Sequence, residues 1–79
     1  MSVRVRLFAA LRDLAGAAEV EADGATVGAV LDDLAGRYGE RFAQIAAAGS
    51  VVVDGDRADR DRVLDGAREV AVLPPFSGG

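Results

Sequence analysis

The 79-residue chain predicts a single α+β domain, with strands in one layer and one main helix across them. Three observations predict it. The opening "SVRVRLFA" alternates strictly, with Val3, Val5 and Leu7 on one face and Arg4, Arg6 and Phe8 on the other, the period of a half-buried strand. Val27, Val30, Leu31, Leu34 and Tyr38 recur at helical spacing. Finally, "SVVVDG" and "REVAVL" are short runs rich in β-branched residues, each preceded or followed by turn residues.

The elements follow in order. After the first strand, "LRDLAG" is a short helical turn stopped by Gly16. Ala18 to Asp23 alternates again and ends at Asp23-Gly24, so it pairs plausibly with the first strand in antiparallel fashion. Thr26 can cap the main helix through its hydroxyl, and Gly39 suits its C-terminal stop. "RFAQIAAAG" is expected as a partial turn or loop carrying Phe42 and Ile45 into the core. "SVVVDG" is a strand entering an Asp-Gly turn, a strong hairpin signal. "DRADRDR" is expected as a charged connection, "VLDG" as a second turn, and "REVAVL" as a last strand with Val70 and Val72 opposite Glu69, Ala71 and Leu73. No repeat, linker or low-complexity segment divides the chain, so residues 1–75 are read as the domain and 76–79 as a flexible tail.

Composition bounds the chemistry. A domain of this length buries only about 60% of its unfolded surface, so the core is small. A net charge of −4 argues against a phosphate-backbone ligand, so no nucleic acid is expected as partner. No apolar run approaches the ~20 residues that span a bilayer. The arginine-interleaved start is not a signal peptide. The expectation is a cytoplasmic protein with no membrane partner. With no cysteine and no histidine, thiolate nucleophiles, imidazole acid–base chemistry and zinc sites of those ligands are excluded. All nine basic residues are arginine, which excludes a Schiff-base lysine. No turnover is expected from the chain alone.

The acidic run "DGDRADRDRVLDG" lacks the calcium-loop pattern, because Ala58 takes a ligand position and Asp59 that of the required glycine. It reads as a solvated loop, and no metal is expected. The glycines form no phosphate-binding fingerprint, and no stably bound cofactor is expected. Phe8 and Leu73 stand at strand ends on polar faces. If the first and last strands are neighbours, they join Phe76 in one apolar patch, either incidental or a partner surface. That patch lies at the root of "PPFSGG". Pro74 and Pro75 favour an extended exit, while Ser77, Gly78 and Gly79 make a thin end able to thread a narrow channel. Such an end is either frayed or the functional group itself, its unhindered carboxylate suited to attack on a nucleotide phosphate.

Taken together, "VRVRLFAALRDLAG", "LDGAREVAVLPP" and the terminal "SGG" resemble the small subunit of molybdopterin synthase (MoaD), one of the ubiquitin-like β-grasp sulfur carriers, over essentially the whole chain. The resemblance implies a β-grasp domain with a mixed four- to five-stranded sheet on one main helix. It implies that Gly79 is adenylated with ATP by an E1-like adenylyltransferase (MoeB-like) and converted to a thiocarboxylate. The tail, with Gly78 and Ser77, then enters a large synthase subunit (MoaE-like), where sulfur passes to the precursor of molybdopterin. Phe8 and Leu73 match apolar contact positions of the family, and Phe76 and Pro75 extend that interface. One departure is the charged "DGDRADRDR", where the family often carries a further apolar contact. Sister carriers serving thiamine, cysteine, thionucleoside or secondary-metabolite synthesis share the tail chemistry. A ubiquitin-like modifier of protein lysines shares its first step, and an interaction module with an inert tail shares only the fold.

Overall fold

Alternation at the N-terminus becomes strand β1 (Ser2–Leu7), whose Val3, Val5 and Leu7 are buried while Ser2, Arg4 and Arg6 face solvent. The computed structural model describes residues 2–65 and 69–75. Helix α1 (Ala9–Ala15) buries Leu11 and ends at Gly16. Strand β2 (Glu19–Asp23) returns antiparallel to β1, pairing Arg4 with Glu21 and Val5 with Val20. Strand β3 (Ser50–Val53), strand β4 (Asp56–Ala58) and strand β5 (Val70–Leu73) complete a sheet of order β2-β1-β5-β3-β4. Only β1–β5 is parallel, so the sheet is mixed, as the β-grasp resemblance implies.

The main helix, α2 (Val27–Tyr38), is capped as expected: Thr26 Oγ1 accepts from Ala29 N–H at 3.1 Å. Val27, Val30, Leu31 and Leu34 are buried against the sheet, and Tyr38 packs partly against the same core. Residues 41–49, expected as a partial turn or loop, instead lie in helix α3 (Glu40–Ala48) and at its C-cap. The local pattern contains its reason. Phe42, Ile45 and Ala46 fall at i, i+3 and i+4, alanine is the strongest helix former, and Glu40 sits in the first turn. Gly39 ends α2 and opens α3, and the Tyr38 and Phe42 rings meet across it with centroids 5.4 Å apart.

The second correction concerns "DRADRDR". Its first three residues make β4, which pairs with β3 alone. An edge strand can be charged because its ladder needs backbone groups on one side only. Asp54 and Gly55, with φ of 48° and 93°, form the two-residue hairpin turn between Val53 and Asp56. The remainder of the charged stretch closes the start of α2. Val27 N–H donates to Arg62 O at 3.0 Å and Gly28 N–H to Arg60 O at 2.9 Å, while Leu64 N–H donates to Ala25 O at 2.8 Å. Arg60 also donates to Asp32 at 3.0 Å. Helix N–H groups that lack an intrahelical acceptor are thereby satisfied by the connection.

The core is a single cluster between the helices and one sheet face, with Phe42, Leu34, Val5, Val70 and Val72 fully enclosed. Phe42→Ala is expected to lower stability by about 3–5 kcal/mol, the usual loss for a buried aromatic. Val63→Ala, at a residue 61% exposed, should stay within about 0.5 kcal/mol. Urea denaturation followed by circular dichroism measures both.

Candidate functional site

The parallel β1–β5 ladder brings the first strand beside the last. Its register pairs Val5 with Val70, Arg6 with Ala71 and Leu7 with Val72. One residue further on, Phe8 and Leu73 stand at the same end of the two strands. The sheet face away from the helices can be read row by row from the registers. Glu19, Arg6, Ala71, Val52 and Arg57 lie side by side across all five strands. Leu73 is paired with Ser50 in the next row, and Arg57 donates to Ser50 Oγ at 3.1 Å. The result is an apolar strip of Val52, Ala71 and Leu73, all half-buried, bounded by Arg6 on one side and Arg57 on the other.

Phe8 is not a strand residue. β1 stops at Leu7, and Phe8 takes an extended conformation as the N-cap of α1, its carbonyl accepting from Leu11 N–H at 3.1 Å. Phe8 remains 38% exposed, one residue beyond the β1–β5 ladder at the end where Leu73 stands. The next residue, Ala9, has φ of 51°, the left-handed region that an L-residue enters at a cost of about 1 kcal/mol. The chain therefore turns sharply immediately after Phe8. Pro75, two residues beyond Leu73, is exposed. Phe76, Ser77, Gly78 and Gly79 lie outside the described residues.

Val52, Ala71, Arg6 and Arg57 escaped the sequence-based site. Strand parity could have found Val52, since Val51 and Val53 on either side are buried. Arg57 could not be placed while its segment was read as a connection.

Elsewhere the described residues offer little for chemistry. No polar or charged residue among them is buried, and no cluster of carboxylates could hold a metal. A cavity of about 340 Å³ between α2, α3 and the β3–β4 hairpin is lined chiefly by Val27, Leu31, Ala46, Ser50 and Ala58, with Arg57 and Arg60 at its rim. The free edge of β2 is occupied by α2 side chains: Asp33 accepts from Asp23 N–H at 3.0 Å, and Arg37 donates to Glu21 O. No described helix is long and apolar enough to cross a membrane. What the described residues offer is an apolar strip with two flanking cations, ending where Pro74 and Pro75 follow Leu73.

The model of the ThiS family matches residues 5–79. The chain belongs to the ThiS family. It is thus a ubiquitin-like β-grasp protein of a sulfur-carrier family, whose small members are generally not enzymes on their own. Among solved structures, SAMP1 from Haloferax volcanii is 30% identical with a TM-score of 0.78, covering 100% of both chains. A Pyrococcus furiosus protein described as a molybdopterin converting factor, subunit 1, is 27% identical with a TM-score of 0.77 over 96% of this chain and 99% of that one. A chain of the Amycolatopsis orientalis BexX/CysO complex is 27% identical with a TM-score of 0.78 over 98% and 99%. No curated protein matches the sequence significantly. This ThiS-family chain therefore shares its whole fold with neighbours described in different terms.

The left-handed Ala9 makes a local test of how Phe8 is presented. Ala9→Gly should be neutral or stabilise by up to about 1 kcal/mol, because glycine enters this region without strain. Ala10→Gly, in the same helix, should lose about 1 kcal/mol. Paired thermal melts separate the two.

Proposed function

We propose that this protein is a sulfur carrier whose Gly79 carboxylate is the reactive group, serving as the sulfur-donating small subunit of a molybdopterin synthase in molybdenum cofactor biosynthesis. The observation that carries the reading is the junction of the apolar strip with the tail root. Phe8, Leu73, Val52 and Ala71 lie beside the residues from which Pro74 and Pro75 lead to Ser77, Gly78 and Gly79. A partner enzyme that docks on the strip receives the tail in a fixed register, so binding energy from the sheet face positions a distant carboxylate. Similarity to the Pyrococcus furiosus protein supports the choice of pathway.

The chemistry needs no group from this domain. A carboxylate oxygen of Gly79 attacks the α-phosphorus of ATP, held by the E1-like adenylyltransferase, and pyrophosphate leaves. A sulfur nucleophile then attacks the acyl carbon and AMP leaves, so the C–O bond to phosphate is exchanged for C–S. In the large subunit the sulfur passes to the pterin precursor, and water restores the carboxylate. Two glycines suit this work because a chain without Cβ atoms fits a channel too narrow for other residues.

A second reading rests on a specific observation. The full-length likeness to SAMP1 of Haloferax volcanii, described as small archaeal modifier protein 1, supports conjugation to lysines, which would place an amine where the sulfur nucleophile stands. Incubation with the cognate adenylyltransferase, ATP and a sulfur source, followed by intact-mass spectrometry, separates these outcomes. The sulfur reading expects one oxygen replaced by sulfur at Gly79, and sulfur transfer to a pterin only with the large subunit present. Amide bonds to target lysines would instead establish the modifier reading. Deleting Gly79 should abolish the reaction while leaving the melting temperature unchanged.

Docking makes its own prediction. Phe8→Ala and Leu73→Asp should each weaken binding of the adenylyltransferase or large subunit by about 2 kcal/mol, the loss typical of a central interface anchor, with the fold retained. Calorimetric titration reads the change, and unaltered affinity in both variants would show the strip to be incidental.

A further inference from the structure

We infer that Gly49 sets the direction in which the C-terminal tail leaves the sheet, acting as a positioning residue for the Gly79 carboxylate. The inference rests on the sulfur-carrier reading and adds to it a residue on neither the docking strip nor the tail.

Gly49 is the single residue between α3 and β3. Its backbone, with φ of −94° and ψ of −150°, is not in the left-handed region, so conformation does not demand glycine there. Space does. A Cβ at this position would lie 1.9 Å from the carbonyl oxygen of Leu73, 3.0 Å from its carbonyl carbon and 3.1 Å from the carbonyl carbon of Pro74. All three are backbone atoms, which cannot swing aside as the end of a side chain can. The contact falls on the last residue of β5 and the first residue of the exit. By contrast, a Cβ at Gly36 on α2 would meet nothing within 4 Å.

The two sides of this contact are not equally held. Gly49 is tied to α3 by its N–H, which donates to Ala46 O at 3.2 Å, and α3 is anchored by the fully buried Phe42. Leu73 is the last residue of its ladder, paired with Ser50, while the Val72 and Val70 pairs behind it are locked in the core. A methyl group at position 49 must therefore displace Leu73 and Pro74 rather than the helix. Contact at ordinary van der Waals separation requires a shift on the order of 1 Å or more. Pro74 and Pro75 have fixed φ and transmit that shift toward the tail. Misplacing a reacting group by about 1 Å can cost up to 100-fold in rate, and a glycine-ended tail recovers part of that.

The test uses the full chain and two variants, Gly49→Ala and Gly36→Ala. In the wild-type amide and proton spectra, nuclear Overhauser contacts are expected between the Gly49 α-protons and Pro74; their absence overturns the inference, whatever the variants do. Gly49→Ala should fold, with amide shifts changed at Leu73 and beyond Pro75 and unchanged at Val5 and Val70. A Gly49→Ala chain that does not fold overturns it too, because the contact would then hold the sheet rather than aim the tail. With saturating adenylyltransferase, ATP and sulfide, wild type and Gly36→Ala should form thiocarboxylate at equal rates, and Gly49→Ala about tenfold more slowly. Its Kd for the adenylyltransferase should stay within about threefold, since Phe8, Val52 and Ala71 keep their places and only the backbone at the Leu73 end of the strip shifts; a residue of purely structural importance would not separate rate from affinity in this way. Equal rates in all three chains overturn the role of Gly49 alone. If the wild type itself gains no sulfur, the sulfur-carrier reading falls and takes that role with it, while the Overhauser contacts still report the packing.

Discussion

Parallel pairing of β1 with β5 is the constraint on which the rest of the structure depends. It places the second residue of the chain and the seventy-third in one sheet, and it seals Val5, Leu7, Val70 and Val72 against the helices. A parallel pair cannot be made by a tight turn, so everything between the two strands must serve as crossover. The helices, β2 and the β3–β4 hairpin all lie within that crossover. The same pairing brings Phe8 and Leu73 to one end of the sheet, which is also where the chain continues into its tail. Core formation and site formation are therefore one event.

The two faces of the sheet are treated differently for a physical reason. The inner face has helices enough to cover it, and charged residues of the β4–β5 connection complete that cover by accepting from the first N–H groups of α2. What looks in the sequence like a solvated charge run thus has a backbone task, although its side chains remain in water. Among the described residues, no layer covers the outer face. Its exposed ion pairs, such as Arg6 with Glu19 at 3.8 Å, contribute little to stability. Arginines there keep an apolar strip soluble while leaving it available, a combination suited to reversible docking.

A carrier built this way separates recognition from chemistry. The described residues supply an apolar strip on the sheet and, at Pro74 and Pro75, the first two residues beyond it. In the proposed reading, activation of the C-terminal carboxylate falls to partner enzymes, and the chain itself has no cysteine, histidine or lysine. Gly49 is where the two halves meet, because the end of α3 and the end of β5 touch there without an intervening side chain.

Much of this was legible in the sequence wherever a residue's environment is set by its immediate neighbours. Alternation identified β1, β2 and the burial of Val70 and Val72. Helical spacing and a capping threonine identified α2, and Asp-Gly identified the β3–β4 turn. The resemblance of the chain's opening, its final strand and its tail to the sulfur carriers pointed to the family that the ThiS match establishes. Two elements were missed: α3, whose helical pattern is present but was read as a partial turn or loop, and β4, read as part of a connection. In α3 three consecutive alanines blurred the amphipathic stripe, and its burial depends on Phe42 meeting Tyr38 and the sheet. In β4 an edge ladder asks nothing of side chains, so a charged strand carries no periodic signature. Local periodicity, in short, determined which residues face inward. Only the tertiary structure decided which strands are neighbours, and so placed Val52, Ala71 and Arg57 beside Leu73 and the Leu73 carbonyl against Gly49. Val52 and Ala71 are 19 positions apart and Gly49 and Leu73 are 24, and nothing in the intervening sequence records the register in which the strands meet.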